Sequence, residues 1–349
     1  MKKTILAIAF TLSLSNIFAQ SKVDFKPTLS PTKVEHSLYS LIALIDARSD
    51  IRHLGVVHTG ISNASSMVVS PNTLSTDVQN IFNSLIGTDA DHAKLFLYLR
   101  QFNYAEITGG VNEAGYCVIK AEMFARTNHY IENINTLDTL IYLNSKLDVT
   151  NRLLRTGSEI FTAFIRSTLL LAPVSGGRVY TDRDLAHIDS IEKIPLKLYN
   201  TNTYTNGVYL SYKAFKNQLP DKEITVLGNH VIEGNVQAPD EKGKLRDVKL
   251  KKIYAIVYNG TPYIATDYGF YPLTKVNGEF KFTGIAYAHT NPVDLIVDST
   301  VTGVASNLAI GFGNELTYEM MIDHQNGHFI KLKEIPQPKT TGGGNDGWD

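Results

Sequence analysis

The sequence predicts an α+β protein: a mixed α/β N-terminal domain at residues 36–172, followed by a mainly antiparallel β domain at residues 205–335. Three observations predict this. Apolar residues recur at helical spacing most clearly in one segment, Leu147 to Leu170. Strand-like runs occur in both halves. In the second half the runs shorten and are punctuated by Asn-Gly dipeptides, a strong two-residue hairpin signal. The length of 349 residues agrees with two domains.

The chain opens with Lys2 and Lys3, an apolar run from Ile5 to Leu12, and Ile17-Phe18-Ala19. A basic start, a short apolar core and a small closing residue form a secretory signal peptide over residues 1–19. The apolar run is too short for a membrane span, which takes about 20 residues. Cleavage after Ala19 makes Gln20 the first mature residue. With no cysteine at that junction, the product is not a lipoprotein. The expected location is the periplasm or the exterior.

Residues 20–35, with Pro27 and Pro31 among polar neighbours, read as a leader. Leu54-Gly55-Val56-Val57 and Leu95 to Leu99 read as strands, the second continuing through Phe102 and Tyr104 to Ile107. Gly109 to Gly115 is a glycine-bounded turn, and Tyr116 to Phe124 returns as its hairpin partner. Leu153, Ile160, Phe161, Phe164 and Thr168 share one helical face, and Ala172-Pro173 ends that helix. Residues 173–204 read as a linker region containing Gly176-Gly177, a short polar helix and an Asn/Thr run.

From Gly207 the chain consists of short strands and turns. Ile253 to Tyr258 is apolar or aromatic on both faces, as suits a central strand. Asn259-Gly260, Asn277-Gly278 and Asn326-Gly327 mark hairpins. Pro292 to Phe312 is rich in Val, Ile, Leu and Ala. Asp294, Asp298 and Asn307 inside it argue against a membrane span, since each Asp at bilayer depth costs at least ~2.5 kcal/mol. No transmembrane segment is expected in the mature chain. Residues 336–349, glycine-rich and almost without apolar side chains, read as a disordered tail.

Composition excludes some functions. With 43% hydrophobic and 19% charged residues the chain can fold around a core. The formal charge of −1 becomes −3 once Lys2 and Lys3 leave with the signal, so the field that draws nucleic acid is missing. Cys117 is the single cysteine and cannot close an intramolecular disulfide, so stability rests on packing.

Local motifs are incomplete. Gly60-Ile61-Ser62-Asn63-Ala64 nearly spells a nucleophile elbow, but a β-like run follows where a helix is required. Ser190-Ile191-Glu192-Lys193 has Ser-x-x-Lys spacing without its companion signatures. Asp182, Asp184, His187 and Asp189 cluster, and read as a solvated helix with an acidic first turn and Thr181 as N-cap. His324 and His328 flank the Asn326-Gly327 turn and read as surface hairpin histidines. Lys242 to Lys252 reads as a solvated hairpin edge. No Gly-x-Gly-x-x-Gly or phosphate-loop lysine occurs. No catalytic or metal-ligating residue and no cofactor is therefore assigned, and the ligand-binding residues stay unidentified.

Gly207 to Pro220, Ile253 to Ile264 and Tyr268 to Leu273 resemble a module of uncharacterised exported proteins from Bacteroidetes-type bacteria. The resemblance spans about residues 207–335 and implies export without implying a chemistry. From the residues alone, its tyrosines at 254, 258, 263, 268 and 271 can bury rings and present hydroxyls. The expected function is an exported, non-enzymatic module that binds a protein, glycan or surface component. The rival is a hydrolase whose site is assembled from residues scattered in sequence.

Overall fold

The computed structural model describes residues 21–59, 64–108, 113–126, 130–145, 149–173, 177–227, 231, 235–287 and 315–335. The signal sequence 1–19, the Gly60–Asn63 part of the elbow, the apolar run 292–312 and the tail 336–349 lie outside them. The protein is α+β and rich in strand, as its sequence predicts.

The first half is one mixed sheet backed by two helices. Its elements are β1 (Ser21–Asp24), β2 (Tyr39–Asp46), β3 (Gly55–Thr59), β4 (Ala64–Val69), α1 (Leu74–Leu85), β5 (Ala93–Thr108), β6 (Glu113–Arg126), β7 (Ile131–Ser145) and α2 (Thr150–Thr168). The short β8 (Val179–Tyr180) pairs with β7. The sheet order is β1-β4-β3-β5-β6-β7-β8. β2 runs parallel to the first part of β5 and β3 parallel to its second part. α2 buries Leu153, Phe161, Phe164 and Thr168 against the sheet, the stripe that the spacing predicts. α1 buries Leu74, Val78, Ile81, Phe82 and Leu85, and Thr73 caps it by accepting from the Thr76 N–H at 3.2 Å.

β6 is buried at every position from Ala114 to Ala125. Cys117, Ile119, Ala121 and Met123 face the two helices. Lys120, Glu122 and Phe124 alternate with them and occupy the opposite face. That face is covered by residues expected to form a linker, which corrects the reading of 173–204 as one. From Val179 onward α3 (Asp182–Leu185) and α4 (Ile188–Lys193) lay Leu185 and Ile188 on Phe96, Tyr98 and Phe124. α5 (Lys197–Asn200) carries Leu198 and Tyr199 into the core of the second half. The leader is also built in. β1 runs parallel to β4, and Phe25, 1% exposed, lies edge-on to Phe102 at 5.4 Å.

The second half contains β9 (Gly207–Tyr209), α6 (Tyr212–Lys216), β10 (Thr225–Leu227), β11 (Asn235–Pro239), β12 (Leu245–Asp247), β13 (Ala255–Tyr258), β14 (Thr261–Thr266), β15 (Gly269–Pro272), β16 (Thr274–Val276), β17 (Glu279–Tyr287), β18 (Glu315–Ile322) and β19 (Phe329–Ile335). Among the described residues every strand pairing between these elements is antiparallel, in three sheets: β10-β11-β12, β15-β14-β13-β9 and β16-β17-β18-β19. β13 is central, as its two-faced apolarity predicts. Ala255 and Val257 pack toward Phe280, Phe282 and Met320, while Ile256 packs toward Val236 and Phe270. Asn259-Gly260 and Asn277-Gly278 turn tightly with positive φ at both residues. The lysine-rich stretch runs through β12, an exposed edge strand, and ends in a 3-10 turn at Leu250–Lys252. No described helix is long and apolar enough to cross a membrane.

Candidate functional site

A break in side-chain alternation positions the first functional residue. Leu95, Leu97 and Leu99 of β5 face the helices, and so do Phe102 and Tyr104. Odd and even positions can share a face only if one residue is extra. The register slips between Leu99 and Gln101, with Arg100 as the bulged residue. Arg100 emerges on the face of Lys120 and Glu122, with its side chain only 8% exposed.

Its guanidinium gathers three carboxylates. Nη1 donates to Asp189, while Nη2 donates to Glu192 at 2.8 Å and to Glu122 at 3.3 Å. The Tyr98 ring lies beneath it, 4.7 Å from the guanidinium carbon. From the other half comes the β18–β19 turn. His324 Nε2 is 2.7 Å from Glu192, and the Gln325 side-chain amide donates to Glu192 and Glu122 at 3.1 and 3.2 Å. Lys120 donates to Asp323 at 2.7 Å, with side chains 6% and 9% exposed. This cluster therefore joins β5 and β6, α4 and the C-terminal hairpin.

Electrostatics follow from the geometry. Burial pushes the Asp323 carboxyl up, but the Lys120 ammonium and the Gln325 backbone N–H outweigh it and hold the group below its ordinary value. Burial likewise raises Glu192, and His324, Arg100 and Gln325 together bring it below. Burial opposes the charge on Arg100, yet Glu122, Asp189 and Glu192 keep it firmly protonated. Two cations, Arg100 and Lys120, here meet four carboxylates.

The hairpin tip is anchored from behind. Tyr212 donates its hydroxyl to the His324 carbonyl and Tyr254 donates to the Gly327 carbonyl, both at 2.7 Å. Gly327 has φ +83°, and a Cβ there would lie 2.2 Å from Cγ of Tyr212. Gly327→Ala should lose about 2–5 kcal/mol, from a left-handed backbone (about 1–2) and an overpacked ring (about 1–3). Gly278→Ala, at φ +79° with open space around it, should lose only the backbone part. Urea unfolding of both variants checks this, and equal losses would refute the packing argument.

Sequence expectations meet this geometry unevenly. Asp189, Glu192 and His324 offer ligand atoms within 4.8 Å of one another. They come from three different motifs of the sequence, and Arg100 already lies against both carboxylates, in the role a bound cation would take. Asp182 pairs with Arg126 instead, and Asp184 completes a capping box with Thr181, the N-cap that the sequence predicts. Ser190 is exposed, while Lys193 pairs with Glu279, so no Ser–Lys relay forms. His324 corrects the reading of a surface histidine: it is 7% exposed, because the turn that carries it is pressed onto Glu192.

Beside the cluster lies a cavity of about 490 Å³. Arg48, Asp50 and His53 of the β2–β3 loop, Arg100 and Asn103 of β5, and Lys331 of β19 bring polar groups to it. Arg48 is engaged throughout: it donates to both oxygens of Asp46 at 2.8 Å and to the His53 and Ile51 carbonyls at 3.0 and 3.3 Å. That fork shapes the loop. Arg52 grips Asp50 in the same way, and its hydrogen bond holds the Asp50 carboxyl down to about 2. Arg100, Glu122 and the arginines of this loop carry no local signal in the sequence beyond the alternation break at Arg100.

No family model and no curated protein matches the chain. Among solved structures, it is similar to a Xanthomonas campestris protein of the DUF330 family. The two are 14% identical, with a TM-score of 0.30, over 42% of this chain and 95% of that one. At that score the likeness is partial and says nothing of function.

Proposed function

We propose that the protein is an exported, non-enzymatic binding module of the periplasm or the exterior, without a lipid anchor. Its ligand seat is the cavity between the first sheet and the C-terminal hairpin. Export is supported by residues 1–19 and by the resemblance of residues 207–335 to exported modules. The observation that carries the binding reading is the bonding of His53. The cavity brings together Ser49, Asp50 and His53, the residue types of a hydrolase. Yet His53 Nδ1 accepts the Gly55 N–H at 3.1 Å, which places the ring proton on Nε2, 3.5 Å from Asp50. Neither nitrogen has a lone pair left to take a serine proton. Burial, with Arg52 and Arg48 nearby, also lowers the His53 pKa against the pull of Asp50, so the ring stays neutral. The carboxylates of the adjoining cluster are likewise all engaged by Arg100, His324, Gln325 or Lys120. A cavity of this volume is within the range of small-molecule sites, about 300–1,000 Å³.

Two measurements test the reading. N-terminal mass mapping of protein from its native host should find a chain starting at Gln20 outside the cytoplasm, and one retaining Lys2 and Lys3 would sink the export argument. Purified protein should leave nitrophenyl esters, phosphates and glycosides intact. Turnover that disappears in His53→Ala would establish the hydrolase instead.

A further inference from the structure

The outer edge of β7 is open over most of its length. β8 pairs with it only at Ile131 and Glu132. The ladder fixes which backbone groups point outward. The Tyr104 N–H goes to the Leu54 carbonyl, on the β3 side of β5. Cys117, opposite Tyr104, therefore turns its N–H and C=O toward β7, where it faces Ile141. Leu137, Thr139, Ile141 and Leu143 thus bond to β6, while Thr136, Asp138, Leu140, Tyr142 and Asn144 aim their backbone groups away from the sheet. Among the described residues the partners of this outward row are side chains alone. Asn135 accepts from the Thr136 N–H, and Arg152 reaches the Asn144 carbonyl at 3.4 Å, a long bond that a strand N–H can replace.

Proteins protect such edges with lysine, with proline or by keeping the strand short. Apart from β2, against which α1 packs, the other described outer strands have two to four residues or, as in β19, carry Lys331 and Lys333. β7 has 15 residues. From Asn133 to Ser145 it holds no lysine, arginine, proline or glycine, and its one charged side chain is Asp138. Run antiparallel to itself, this strand is complementary. About a two-fold axis at Leu140, Leu140 meets its own copy, Asp138 faces Tyr142 and Thr136 faces Asn144. On the other face Leu137 meets Leu143 and Thr139 meets Ile141, so the apolar side that these leucines present to the first core continues across the junction. The two Asp138 carboxylates then stand four residues apart along the strands, about 13 Å, beyond the screening length of about 8 Å. An axis at Asp138 would set them opposite each other. We propose that β7 pairs antiparallel with β7 of a second copy about the Leu140 axis, joining two sheets into one. This pairing needs nothing from the cavity.

Sedimentation equilibrium of the purified protein should give twice the chain mass. Amide hydrogen exchange should slow at Asp138, Leu140 and Tyr142 as the protein is concentrated. Leu137, Thr139 and Ile141, already bonded to β6, should stay protected at every concentration. Leu140→Lys sets two ammonium groups opposite each other and should weaken the dimer about tenfold or more, while the protein still unfolds cooperatively. Leu140→Glu should do the same, and an equimolar mixture of the two variants should recover a dimer. Damage to the fold of either variant would not be repaired by mixing. A monomer whose edge amides exchange freely would overturn the proposal. So would a dimer indifferent to Leu140→Lys, or open-ended aggregates, which a two-fold pairing does not form. Edge amides protected in a monomer would mean that the chain covers this edge itself, and would overturn it equally.

Discussion

Arg100→Met should destabilise the protein by about 3–5 kcal/mol at pH 7, the usual loss when one partner of a buried ionic group is removed. The size of the effect follows from what remains. Glu122, Asp189 and Glu192 converge on one guanidinium whose side chain is 8% exposed. Without it, three carboxylates share a partly buried site with His324 and Gln325 as their nearest donors. Like charges at such distances raise one another's pKa, so at least one carboxyl of the variant should take up a proton in mild acid. The variant should therefore recover part of its deficit between pH 7 and pH 5, when urea unfolding is compared with the wild type at each pH. Wild-type Glu192 behaves in the opposite sense, since its carboxyl is held below the ordinary value. Its contribution is complete above about pH 4.3 and is lost as pH falls through the native value. A variant as stable as the wild type at pH 7, or a deficit that widens on acidification, would contradict the account of the cluster.

The elements that periodicity announces are the ones it found. α2 carries its apolar stripe at helical spacing, and β13 is apolar on both faces because two sheets cover it. β7 was not legible. Its run of Asn, Thr and Asp side chains lies on a partly exposed sheet edge, where polar residues satisfy the pleat as well as apolar ones. α1 was missed because its stripe is short and interleaved with Ser, Thr, Asp and Asn, which weaken helix propensity. The linker reading failed for a physical reason. Gly, Pro and Asn/Thr composition predicts exposure, whereas Leu185, Ile188, Leu198 and Tyr199 are too few to register and yet sit in two cores.

The site was half visible. Asp189, Glu192 and His324 each stood inside a motif weighed in the sequence, but in three motifs considered separately. Only the fold closes the distance of 132 residues between Glu192 and His324. Arg100 had a signal of its own, the change from odd to even apolar positions between Leu99 and Phe102. That change requires a bulge, and bulges re-aim side chains at functional sites.

Asp323→Ala should be the most damaging loss of a single carboxylate, again about 3–5 kcal/mol. Asp323 has two partners: Lys120 at 2.7 Å, from the first sheet, and the Gln325 backbone N–H at 2.9 Å, within its own turn. Alanine leaves the Lys120 ammonium buried without its acid and loosens the turn that presents His324 and Gln325. The two causes can be separated. Lys120→Met combined with Asp323→Ala removes the stranded charge, so the double variant should recover more than half of the single-variant loss. The remainder belongs to the turn. The pH profile gives a second check. Wild-type stability should fall first below about pH 6.5, because His53 and His328 both have pKa values lowered by burial and their unfolded forms take up protons there. Asp50, Arg48 and Arg52 face the first ring, and Asp323, Lys120 and Asp138 act on the second. A second decline should begin below about pH 4, where unfolded carboxylates protonate while native Asp323 and Glu192 resist. In Asp323→Ala the lower limb should flatten, because one of its contributors is gone. The upper limb should steepen, since Asp323 favours a proton on His328 more strongly than Asp138 does. An additive double variant, together with an unchanged lower limb, would mean that the two halves meet at this pair without deriving stability from it.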